Sequence, residues 1–244
     1  MKRFKRIIVI VTDSVGAGGA PDAERFGDEG ADTLKHIDEA VPGGLKIPNL
    51  RRLGWEKATH IHPEGVKIIG SYGRMREISN GKDTTSGHWE FMGNPVENPF
   101  PVFYDAFPQD LLDTFTKKTG HGWLGNEVAS GTEIIARLGP EHIQTKKPIV
   151  YTSADSVFQI AAHTDVIPLE ELYRICEVTR KEVCVGPYEV GRVIARPFVG
   201  EPGNFVRTGD RQDYSRLPER KMVFSYLKEN GYEAYLGDEI CLSL

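Results

Sequence analysis

Cysteine is scarce. Cys176, Cys184 and Cys241 are the only three in 244 residues. That odd, scattered set makes no disulfide framework and fits a reducing compartment. Basic charge is not in excess either: 30 Lys and Arg stand against 35 Asp and Glu, a net charge of −5, which argues against binding nucleic acid through overall charge. Long apolar runs are missing, since nothing approaches the ~20 residues needed to cross a bilayer. The basic start Met1-Lys2-Arg3-Phe4-Lys5-Arg6 precedes an apolar run, Ile7 to Val11, too short for the core of a signal peptide. A Gly-Lys-Ser/Thr phosphate loop is absent, and after Gly16 and Gly18 the third glycine of a dinucleotide fingerprint is replaced by Pro21. The expectation is a soluble, cytoplasmic protein with neither membrane nor nucleic acid as partner.

What is present reads as an α/β chain. Ile7 to Val11 is a continuous β-branched run, the pattern of a strand buried on both faces. Helical patterns follow at Asp32 to Val41 and Ile47 to Leu53, then one or two strands over Val66 to Ile78. Asp83 to Ser86 carries the start signals of a helix that stops near Gly93. Three prolines between Asn94 and Val102 mark a linker. Beyond it, helices at Pro108 to Lys118, Gly131 to Leu138 and Leu169 to Val183 alternate with strands at Pro148 to Thr152, Val157 to Ala162, Glu189 to Pro197 and Asn204 to Thr208. That alternation predicts an inserted α+β domain over residues 102–214, between a first core part at 1–101 and a return to the core at 215–244. A helix at Lys221 to Asn230 and a short strand at Tyr232 to Leu236 would form that return.

Three stretches carry chemistry. Asp13 follows the carboxyl end of the first predicted strand, where open α/β sheets place ligand groups; a carboxylate there binds a metal, holds a sugar hydroxyl or caps the next turn. Asp83-Thr84-Thr85-Ser86 puts three hydroxyls at a helix start, where free N–H groups and the helix dipole favour a phosphate. A hydroxyl there becomes a nucleophile only if a base or metal draws off its proton; otherwise the cluster is ordinary capping. Tyr151 to Ser156, Gly191 to Pro197 and Phe205 to Thr208 combine short polar side chains, suited to sugar hydroxyls, with Arg192 and Arg207, suited to a phosphate. Of the seven histidines only His60 and His62 have a spacing of interest for a metal, and they fall in a loop-like stretch.

From Met1 to about Tyr214 the chain resembles the phosphopentomutases of the alkaline phosphatase superfamily. The matching stretches are Thr12-Asp13-Ser14-Val15-Gly16 with Pro21-Asp22-Ala23, Gly81-Lys82-Asp83-Thr84 with Gly87-His88-Trp89-Glu90, Ser130 to Ile134, Tyr151 to Val157, and Val190 through Phe205. The resemblance implies an alkaline-phosphatase-like core, incomplete here, with an inserted α+β cap. It implies interconversion of ribose 1-phosphate and ribose 5-phosphate, and of the deoxyribose pair, at a site of two Mn2+ ions. A phosphothreonine, Thr84 in this chain rather than Thr85, would donate its phosphoryl group and recover one from the bisphosphate intermediate. Asp13 and Thr84 would touch metal, and Ser153, Asp155, Arg192, Ile194 and Arg207 would line the substrate site.

The family's pattern continues past Leu244, and its remaining metal ligands, several Asp and His residues, lie in that continuation. From about Ser215 the match weakens, and Gly237 to Cys241 stands where the family has a substrate-contacting lysine. The expectation is a chain truncated after the cap, with little turnover of its own. The second reading is a catalytically inactive remnant that binds sugar phosphates.

Overall fold

The computed structural model describes residues 6–12 and 15–235. The chain divides into two compact units, one up to Glu77 and one from Ile78. The first holds four short helices, α1 (Ala23–Phe26), α2 (Thr33–Ala40), α3 (Pro48–Leu53) and α4 (Trp55–Ala58). Asp32 caps α2, its carboxylate accepting from the Lys35 N–H, and Pro48 opens α3, where its missing N–H costs nothing. Few apolar side chains are buried here. The centre is instead Arg51, 1% exposed, beside Asp38 (3.7 Å), Glu56 (3.4 Å) and Glu64 (3.4 Å).

Three strands expected from the sequence are not formed among the described residues. Ile7 to Val11 joins no sheet and is exposed, Ile7 by 81% and Ile10 by 82%. A β-branched run becomes a strand only when other strands pair with it, and none does among the described residues. Val66 to Ile78 is irregular for the same reason, with Ile69, Met75 and Ile78 exposed. Tyr232 to Tyr235 is likewise irregular, and Leu236 lies outside the described residues.

The second unit is α/β with a mixed sheet. It opens with α5 (Thr84–Phe91) and α6 (Gln109–Thr119), followed by β1 (Leu124–Val128), α7 (Gly131–Thr145), β2 (Ile149–Thr152), β3 (Val157–His163) and α8 (Leu169–Val178). A turn of π-helix, Thr179–Val183, extends α8; β4 (Arg192–Glu201), β5 (Asn204–Arg207), β6 (Gln212–Ser215) and α9 (Val223–Glu229) complete it. The strand order is β1-β2-β3-β4-β5, with β6 also on β4. β1 and β2 are parallel, as are β3 and β4; the other pairs are antiparallel.

Alternation along the strands explains the layering. Val150, Phe158, Ile160, Val193 and Ala195 point to one face and pack with Leu111, Leu112 and Phe115 of α6 and Leu172 and Ile175 of α8. Ile149, Tyr151, Ala161 and Phe198 point to the other and pack with Ile134 and Ile135 of α7. The helix α7 runs through Pro140, beyond the end expected at Leu138. Proline removes one backbone donor, yet Gly139 lets this segment press on Phe205: a Cβ there would lie 2.3 Å from the ring. Outside the sheet, Trp89 of α5 packs with Val96, Phe100 and Met222, and the Val223 N–H donates to Met92 O at 3.0 Å.

Candidate sugar-phosphate site

The strand β4 carries the site. Arg192, Ile194 and Arg196 alternate onto the α7 side of the sheet, while Val193 and Ala195 are buried on the opposite side. Cross-strand register lays a polar row beside them. Tyr151 on β2 pairs with Gln159 on β3, Gln159 with Ile194, and Ile194 with Asp213 on β6. Asp213, 8% exposed, accepts from Arg192 Nη1 at 3.0 Å and from Arg211 through two bonds of 2.7 Å. Arg196 Nε donates to Gln159 Oε1 at 3.1 Å. Burial pushes the Arg196 pKa down, and the neighbouring Arg211 and Arg207 work in the same direction. A surface with several guanidiniums around one carboxylate favours an anion.

Ser153 and Asp155 lie, half-buried, in the tight turn between β2 and β3. The Thr152 hydroxyl donates across that turn to Val157 O at 2.9 Å, and the Ser156 hydroxyl donates to Pro101 O at 2.5 Å. Arg207 ends β5 opposite Phe198, is exposed, and forms no ion pair among the described residues.

Thr84 is the first residue of α5, and its side chain is exposed; Thr85 and Ser86 are fully buried. Asp83 sets this register. Its carboxylate accepts from the Ser86 N–H at 3.0 Å and the Ser86 hydroxyl at 2.6 Å, capping the helix. Thr85 turns inward, so that a Cβ on Gly191 would lie 3.4 Å from its hydroxyl oxygen. The buried side of α5 therefore meets the residue that precedes Arg192. Glu90, farther along α5, accepts from the Ser79 N–H at 2.8 Å; burial would raise its pKa, but hydrogen bonds from Ser79 and Ile78 hold it below the usual value.

The structure thus brings Ile194, Arg192 and Arg196 onto one face, with Arg207 on a strand of the same sheet. Asp13 lies outside the described residues. His60 and His62 are not a metal pair: His60 Nδ1 bonds Asp32, and His62 Nδ1 bonds Asp38 at 2.6 Å. Among the described residues no group of three or more His, Cys, Asp or Glu side chains is placed to hold a metal ion. Nothing local in the sequence marks Gln159, Arg211 or Asp213 as site residues. Arg196 is legible there, because spacing of two and four residues from Ile194 and Arg192 along a strand puts all three on one face.

These features define a class: an α/β protein whose mixed sheet presents an arginine-rich face, beside a helix that opens on an exposed threonine. The chain is 54% identical over 239 residues to the phosphopentomutase of Caldanaerobacter subterraneus subsp. tengcongensis, covering 97% of this chain and 60% of that protein. It is 54% identical over 235 residues to the phosphopentomutase of Carboxydothermus hydrogenoformans, covering 94% of this chain and 59% of that one. At that identity the chain is a homologue of phosphopentomutases along nearly its whole length, and it spans about 60% of theirs. No family model matches it. No helix among the described residues is long and apolar enough to cross a membrane.

Proposed function

We propose that this chain carries the phosphothreonine and the sugar-phosphate contacts of a phosphopentomutase, an isomerase that moves a phosphoryl group between the 1 and 5 positions of ribose or deoxyribose. The observation that carries the reading is the register of α5: of its three leading hydroxyls only that of Thr84 faces solvent, at the positive end of the helix. A phosphoryl group on Thr84 gains from the helix dipole roughly 0.3–1 kcal/mol. Thr85 and Ser86, buried, position the helix.

In this reading Arg192 and Arg207 hold the phosphate of the sugar, Ser153 and Asp155 accept or donate to its hydroxyls, and Ile194 packs against it. The Thr84 phosphoryl passes to the free hydroxyl of the pentose phosphate, and the threonine recovers a phosphoryl group from the resulting bisphosphate. The resemblance implies two Mn2+ ions, which would neutralise charge on the transferring group. The described residues do not assemble ligands for such a pair.

The sheet, all of whose strands fall between Leu124 and Ser215, fits the cap expected at 102–214. The residues at 1–101 and from 215 would then be parts of an alkaline-phosphatase-like core. The same reading makes pentose phosphates the small-molecule partners and the cytoplasm the compartment.

Calorimetric titration with ribose 5-phosphate tests the binding half. Arg207→Gln should weaken binding roughly tenfold, the scale of one lost charge-assisted contact. Mass-spectrometric mapping after incubation with ribose 1,5-bisphosphate tests the other half: phosphate should sit on Thr84, be absent in Thr84→Ala and persist in Thr85→Ala. Phosphate on Thr85 would show the assigned register to be wrong.

A further inference from the structure

Ser156 ends the turn between β2 and β3, is 2% exposed, and uses its hydroxyl in both directions. It donates to Pro101 O at 2.5 Å and accepts from the Gly191 N–H at 3.1 Å. Its carbonyl accepts from the Arg192 N–H at 3.2 Å. Gly191 is held from the other side as well, its carbonyl accepting from the Arg216 N–H at 2.9 Å. The segment before the sheet, at Pro101, the segment after it, at Arg216, and the residue before β4 are thus tied at one buried point.

That point bears on α5 by two routes. A Cβ on Gly191 would lie 3.4 Å from the Thr85 hydroxyl oxygen and 3.4 Å from Phe100 Cδ2. Phe100 in turn packs edge-on against Trp89 of α5, with ring centroids 5.5 Å apart. Thr85 is fully buried, and its hydroxyl forms no hydrogen bond among the described residues. Its contact with Gly191 is therefore steric and has no direction of its own. Direction comes from the hydrogen bonds on Gly191, and the Ser156 hydroxyl supplies one of them.

We propose that Ser156 is a positioning residue, which fixes Arg192 at a set distance and angle from Thr84. Thr84 is next to Thr85 on α5, and Arg192 is next to Gly191 on β4, so the Thr85–Gly191 contact sets their relative placement. The same serine adjoins Asp155, which brings the polar turn of Ser153 and Asp155 into one frame with them. Phosphoryl transfer depends mainly on such placement, and an error of about 1 Å costs roughly a hundredfold in rate. The roles of Thr84 and Arg192 rest on the phosphopentomutase reading, whereas the fastening itself does not.

The test follows amide resonances of the full chain, without ligand, for the parent, Ser156→Ala, Ser156→Thr and Gly191→Ala. Ser156→Ala leaves the Gly191 N–H and the Pro101 carbonyl without their partner. It should speed exchange at the Gly191 amide about tenfold and shift the amides of Thr84 and Thr85. Ser156→Thr keeps a hydroxyl and should restore both. Gly191→Ala leaves Ser156 in place but presses on Thr85, and should shift the same α5 amides even if neither serine variant folds. Changes confined to β2 and β3, or α5 amides unmoved in Gly191→Ala, overturn the proposal.

Phosphate transfer gives the second readout. Labelling of Thr84 from ribose 1,5-bisphosphate should slow about a hundredfold in Ser156→Ala and recover in Ser156→Thr. Affinity for ribose 5-phosphate should stay within about threefold, because the backbone bond from Arg192 to Ser156 survives the change. Equal losses of labelling and affinity would show a merely stabilising serine and overturn the proposal. A parent chain that takes up no phosphate counts against the phosphothreonine reading alone, and the α5 amides then decide the positioning role.

Discussion

The unit up to Glu77 is organised around a buried cation, whereas the unit from Ile78 is organised around two apolar layers, one on each face of a sheet. In the first, Arg51 donates to His62 O at 2.5 Å and lies among Asp38, Glu56 and Glu64, while Ile7 to Val11, Ile69 and Met75 are exposed. In the second, Leu112, Phe115, Phe158, Ile160 and Phe198 have no exposed surface. Apolar packing tolerates modest changes of shape, but a buried ion cluster fails when one member is lost, because the remaining charges stay desolvated. The contrast also separates roles: the polar face that could bind a ligand is supported by the apolar unit, where rigid strands hold arginines in register.

The sharpest way to break the contrast is Arg51→Met, which should cost about 3–5 kcal/mol by leaving carboxylates buried without their cation. Amide hydrogen exchange should rise before Glu77 and stay low in β2, β3 and β4. Leu172→Ala should do the reverse, at about 2–5 kcal/mol for a large-to-small core change, read from the denaturant midpoint and from exchange in the sheet. Gly139→Ala presses a methyl into Phe205 and should cost about 1–3 kcal/mol, measured the same way.

Acid should have the smallest effect and a particular place. The Asp38 carboxyl is held down to about 2, from an ordinary value of 3.8, by the His62 and Leu45 backbone N–H groups and the His62 side chain. A depressed folded pKa stabilises above the unfolded value and loses that contribution as pH falls through the folded one. Exchange at the His62 and Leu45 amides should therefore rise between pH 3.8 and about 2.

Among the strands, those of continuous burial were the most plainly legible in the sequence. Ile149 to Thr152 and Val157 to His163 are buried throughout, so apolar runs announced them. Polar edge strands were not legible: β1 contains Gly125 and Asn126 at positive φ and an irregular register, and β6 reads Gln-Asp-Tyr-Ser. Their pairing is decided by β2 and β4, not by their own composition. Ile7 to Val11 shows the converse, strong strand propensity without a strand. At the site, the cap at Asp83 was readable because Asp followed by hydroxyls has a local meaning. The Arg192–Asp213–Arg211 cluster was not, since its members meet only through the register of β4 with β6.

If the arginine-bearing face of the sheet binds sugar phosphate, as proposed, NMR titration of the full chain with ribose 5-phosphate, observing backbone amides and arginine side chains, will show where. Perturbations should centre on Tyr151, Ser153, Arg192, Ile194, Arg196 and Arg207 and leave the Arg51 cluster unmoved. A response confined to residues before Glu77, or none at saturating ligand, would contradict it.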